Sequence, residues 1–93
     1  MQTYVILRRG AWEDTSELEA AAATSSRVAD EDMPGHVKWI RSYVLEEEDG
    51  TLGTVCIYQA EDEDAILEHA RRAYLPADEV IKVVDTVIVR DDP

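Results

Sequence analysis

The stretch VKWIRSYVLEEEDGTLGTVCIY, residues 37–58, decides the fold. Two runs rich in β-branched and aromatic residues flank an acidic segment that contains Asp49-Gly50. Glycine tolerates the positive φ of a tight reversal, so the stretch reads as a hairpin with strands near Val37–Glu46 and Thr54–Gln59. Simple alternation puts Val37, Trp39, Tyr43 and Leu45 on one side of the first run and Ile40 and Val44 on the other. Both sides are apolar, so each is expected to be covered.

Upstream, Tyr4-Ile6-Arg8 alternates with Thr3-Val5-Leu7, predicting a strand over Thr3–Arg9 that Gly10 and Ala11 end. Ser16-Glu17-Leu18-Glu19 matches a capping box, and the helix that follows carries Leu18, Ala21, Ala22, Ser25, Val28 and Ala29 on one face. Met33-Pro34-Gly35 ends it, because proline lacks the N–H a helix needs. Downstream, the four carboxylates of Glu61–Asp64 suit the first turn of a second helix, and Arg71 and Arg72 suit its last. Its inward stripe is Ile66, His69, Ala70 and Ala73, and Leu75-Pro76 stops it. Val80–Val89 reads as a last strand, apolar on both faces. The order β-α-β-β-α-β predicts one α+β domain over residues 1–93, a ferredoxin-like sandwich with a four-stranded antiparallel sheet and both helices on one face. The other sheet face would lie bare in a monomer, which predicts a homodimer formed sheet to sheet.

The formal net charge of −12 would repel phosphate backbones and anionic membranes, so neither nucleic acid nor membrane is an expected partner. The RNA-recognition domain shares this element order, but Thr54-Val55-Cys56-Ile57-Tyr58 does not carry its aromatic signature. No run of 18 apolar residues predicts a membrane span. The N-terminus MQTYVILRRG has its charges after its apolar residues, the reverse of a secretory signal. With Cys56 as the single cysteine, no internal disulfide can form, and the expected compartment is the cytoplasm. No phosphate-binding loop, nucleophile elbow, dinucleotide fingerprint or Cys-x-x-Cys is present.

The chemistry-bearing candidates are few. His36 and His69, the only histidines, are the candidate metal ligands, since neutral imidazole binds nickel, copper or zinc. Their spacing matches no ligand motif, and packing alone also explains a histidine on an inward helical stripe. The acidic runs Glu46–Asp49 and Glu61–Asp64 lack calcium-loop spacing and read as solvated turn and helix-start charge. Trp39, Arg41, Ser42, Tyr43 and Tyr58 could wall a pocket between sheet and helices or between subunits, or simply be core. Cys56, flanked by Val55 and Ile57, reads as a buried, inert thiol. Asp85 among valines needs a partner, with Arg8 or Arg41 as candidates.

Three blocks carry a resemblance: Gly35-x-Val37-x-Trp39-x-x-Ser42-Tyr43-Val44, Cys56-x-Tyr58-x-Ala60, and Glu68-His69-Ala70-Arg71-x-Ala73-x-Leu75-Pro76-Ala77-Asp78. Together they resemble a family of small bacterial proteins, formerly a domain of unknown function, whose best-described members bind nickel or respond to it. The resemblance implies a ferredoxin-like dimer that binds nickel or another divalent transition metal. It spans about residues 35–84 and carries Trp39, Ser42, Tyr43, Cys56, Tyr58, His69 and Pro76 as shared positions. Tyr74 departs from it, standing where the family usually has glycine, and His36 occupies no fixed ligand position.

The leading expectation is therefore a small cytoplasmic dimer that binds nickel or a similar ion without catalysis. A second is a dimeric α+β barrel enzyme acting on a small organic molecule, with His69 as acid or base and Asp85, Ser42 or Tyr58 orienting substrate. A third is a protein-interaction module.

Overall fold

The hairpin forms where its sequence places it. In the computed structural model, which describes residues 1–92, the strands β2 (Val37–Glu46) and β3 (Leu52–Ala60) pair antiparallel around a turn in which Gly50 has φ +87°. Asp49 Oδ1 accepts from the N–H and the hydroxyl of Thr51, which holds its carboxyl below the usual carboxylate range. The remaining elements are β1 (Gln2–Trp12), α1 (Thr15–Arg27) with a π-helical turn after it (Val28–Asp32), α2 (Glu63–Arg72) and β4 (Glu79–Lys82).

The sheet order is β2-β3-β1-β4, with every neighbouring pair antiparallel. One core cluster joins Tyr4, Ile6, Val37, Cys56, Tyr58 and Ala60 of the sheet to Val28, Ala29, Ala65, Ile66 and Ala73 of the helical segments. Both helices thus cover one face, and the chain is a ferredoxin-like α+β sandwich. The opposite face, with Val5, Leu7, Val55 and Ile57, is only half-buried.

Four features depart from the sequence reading, each for a local reason. In β2 the register shifts between Trp39 and Arg41, leaving Ile40 as the extra residue of a β-bulge. One inserted residue inverts the alternation beyond it. Ser42 and Val44 therefore join Trp39 on the helix-covered side, opposite Cys56 and Thr54, while Tyr43 and Leu45 turn to the bare side.

Capping of α1 begins two residues early. Asp14 Oδ1 accepts from Glu17 N at 3.0 Å, so Asp14 takes the N-cap role assigned to Ser16, and Glu17 Oε1 reaches back to accept from Glu13 N at 3.1 Å. β1 continues past Arg9 to Trp12, because Gly10, at φ +53°, lets the strand bend through an irregular register and pair again at Trp12↔Leu52.

β4 is far shorter than Val80–Val89. It pairs from Leu7↔Glu79 to Tyr4↔Lys82, and Val83 N donates to Thr3 O. Beyond that bond the chain leaves the ladder. Asp85 accordingly lies exposed, its carboxylate accepting only from the Thr86 N–H, and neither Arg8 nor Arg41 pairs with it.

Candidate functional site

The two histidines lie in opposite environments and share no partner. His36, just before β2, is exposed, and its Nδ1–H donates to Glu61 Oε1 at the end of β3. With Nδ1 so occupied, Nε2 is the ring nitrogen left for another partner. His69, on the inward stripe of α2, is fully buried. Its Nε2–H donates to the Ser25 carbonyl at 3.0 Å, and its Nδ1 has no partner among the described residues. Burial lowers its pKa, so the ring is neutral.

Ser25, the buried polar residue of α1, links this histidine to the sheet. Its hydroxyl lies 2.9 Å from the Tyr58 hydroxyl, and Tyr58 stacks against Trp39 at 6.1 Å between ring centres. Burial pushes the Tyr58 phenol up, which keeps it protonated. Since the Nε2 proton of His69 points at a carbonyl, that nitrogen cannot take a proton from the serine–tyrosine pair. The histidine is a fixed donor to that carbonyl.

A cavity of about 270 Å³ opens between α1 and the sheet. Trp39, Ser42, Cys56 and Tyr58 line it, together with Arg8, Trp12, Leu18 and Ser25. Ser42 reaches it only because of the bulge at Ile40, and the same turn of the strand lets Trp39 Nε1 donate to Ser42 Oγ at 2.8 Å. Tyr43 and Asp85 do not line it: Tyr43 donates to the Asp92 carboxylate, which Arg41 also binds at 2.7 Å.

Sequence reading missed Arg8 as a lining residue, although its signal was present. Arg8 alternates with Tyr4 and Ile6, and the structure buries all three, leaving the arginine 1% exposed. Its Nε donates to the Pro76 carbonyl at 2.6 Å and its Nη1 to Cys56 Sγ at 3.2 Å. Its Nη2 has no partner among the described residues.

Metal binding is the obvious question for two histidines and 21 carboxylates. Among the described residues no three His, Cys, Asp or Glu side chains gather closely enough to hold an ion. The described residues of one chain therefore bring no complete shell together. No helix among these residues is long and apolar enough to cross a membrane.

The fold and this divided set of polar groups define a small ferredoxin-like protein with a helix–sheet cavity. The family described as "Nickel responsive protein SCO4226-like" matches residues 4–83, and the chain belongs to it. The crystal structure of SCO4226 from Streptomyces coelicolor A3(2) superposes with a TM-score of 0.71 at 20% identity, covering 91% of this chain and 99% of that one. No curated protein matches the chain.

Proposed function

We propose that this protein binds nickel or a similar divalent ion as a homodimer, without catalysing a reaction, and that His36 is the ligand one chain contributes. The observation that carries the reading is the His36–Glu61 pair. A carboxylate that accepts from one ring nitrogen fixes the tautomer and raises the basicity of the other, the usual arrangement behind a ligating histidine. Membership of a nickel-responsive family supports it, as does the net charge of −12, which draws cations to the surface. A second copy would complete the shell, since one chain does not. The half-buried sheet face gives that copy a place to sit. A single buried free thiol, Cys56, suits the reducing cytoplasm.

His69 ranks below His36 as a ligand. It is sealed from solvent, and Arg8, close enough to depress its pKa further, would repel a cation there. Native mass spectrometry with and without nickel tests the assignment. The expected result is a dimer that takes up nickel stoichiometrically and loses it in His36→Ala but not in His69→Ala. A metal-free dimer at saturating nickel, or loss in His69→Ala alone, would overturn it.

A further inference from the structure

Arg8 poses a problem that the metal reading leaves untouched. A guanidinium is charged at every accessible pH, so burial cannot neutralise it. Removing such a charge from water without a counter-ion carries a large penalty. The groups around it supply none. Cys56 Sγ donates to Thr54 Oγ1 at 3.3 Å and accepts from Arg8 Nη1 at 3.2 Å. His69 is held neutral by burial and Tyr58 stays protonated. No carboxylate among the described residues forms an ion pair with Arg8. Its Nη2 is unpartnered, and the side chain borders the cavity.

We infer that the cavity between α1 and the sheet binds a small organic monocarboxylate with an apolar body, its carboxylate paired with the Arg8 guanidinium. The wall chemistry selects that class. Opposite the arginine, Trp12, Trp39, Leu18 and Val44 offer apolar and aromatic surface. Ser42 Oγ accepts from Trp39 Nε1, which leaves its own O–H free to donate to a second carboxylate oxygen. Strand register sets the two on either side of β3, Arg8 opposite Thr54 and Ser42 opposite Cys56 on the same sheet face. A phosphate dianion would need more donors than one guanidinium nitrogen and a hydroxyl. At about 270 Å³ the space lies just below the roughly 300 Å³ at which drug-sized sites begin, so the occupant is a compact acid of the size of phenylacetate. Glu19 stands at the exposed rim, where solvent and salt screen its repulsion.

Both tryptophans of the chain line the cavity, so intrinsic fluorescence reads occupancy directly. Titration with phenylacetate is expected to give a saturable change, and 2-phenylethanol, neutral and of similar shape, is expected to bind at least about tenfold more weakly, the usual worth of a charge-assisted hydrogen bond. Arg8→Met should abolish that preference. Ala22→Leu, which fills the cavity and leaves Arg8 in place, should lose phenylacetate binding. Equal binding of acid and alcohol by the unaltered protein, or no saturable change with phenylacetate, would overturn the assignment whether or not Arg8→Met folds. Nickel is absent from this experiment, so its outcome is independent of the metal reading.

Discussion

Burial holds the pKa of His69 below its ordinary 6.5, and this ties folding to pH in one direction. The unfolded chain takes up a proton near that value, whereas the folded chain binds it only at lower pH. The group's contribution is therefore complete above pH 6.5 and is lost as the pH falls toward the folded pKa. The expected melting curve is level above pH 7 and falls as the pH drops below 6.5, and His69→Gln should flatten that decline. A slope unchanged in His69→Gln would place the titrating group elsewhere. Glu68 acts in a separate window. Hydrogen bonds from Arg71 and Arg72 hold its carboxyl at about 2, so what it contributes is present above its ordinary 4.5 and lost only in stronger acid. At this scale the sequence was readable where a residue sat on a regular pattern. His69 and Arg8 both lie on apolar stripes, and both are buried. Asp85 was misread because the pairing of β4 with β1 stops at Val83, two residues before it.

The end of α2 shows how much one backbone angle matters to an element. Leu75 N donates to Ala70 O at 2.9 Å and Tyr74 N to Arg71 O at 3.3 Å, the two bonds of a Schellman cap. That cap puts Tyr74 at φ +58°, a left-handed conformation in which its Cβ crowds the following carbonyl. Glycine, which has no Cβ, avoids the crowding. Because the Tyr74 ring is 91% exposed, replacing it removes little packing. Tyr74→Gly should stabilise the fold by about 1 kcal/mol in urea denaturation. Tyr74→Ala should give no such gain, since alanine keeps the Cβ. The reverse case lies in β3. A Cβ on Gly53 would stand 2.5 Å from the Arg8 carbonyl, so Gly53→Ala must push β1 and β3 apart beside Arg8. Its expected signature is a lowered denaturation midpoint together with weakened phenylacetate binding. Element types and order could be read from periodicity and turn residues. The bulge at Ile40 could not, because no residue type there signals it. One unpaired residue moved Ser42 to the cavity and Tyr43 away from it.

Across the whole molecule, the two sheet faces divide the labour. The helix-covered face holds the core and the cavity, whereas the other shows Val5, Leu7, Val55 and Ile57 half-exposed, with Tyr43 at 39% and Ile81 at 50%. Past β4 the chain leaves Val84, Val87, Ile88 and Val89 at 74–89% exposure. This much apolar surface on a 93-residue chain is unusual for a monomer. In the proposed dimer a two-fold partner would cover this sheet face with the same face of its copy. Ile57 sits on β3, an inner strand, near the middle of that face. A lysine there keeps the helix-side core intact but sets two like charges against each other across the two-fold. Sedimentation equilibrium at micromolar concentration should find the unaltered protein at twice its 10.5 kDa subunit mass and Ile57→Lys at the subunit mass, with the far-ultraviolet spectrum retained. If His36 needs the second copy, Ile57→Lys should also lose nickel while keeping phenylacetate, whose cavity lies within one chain. A monomeric unaltered protein would sink the sheet-face dimer. Nickel bound by that monomer would leave His36 a ligand but remove the need for a shared shell.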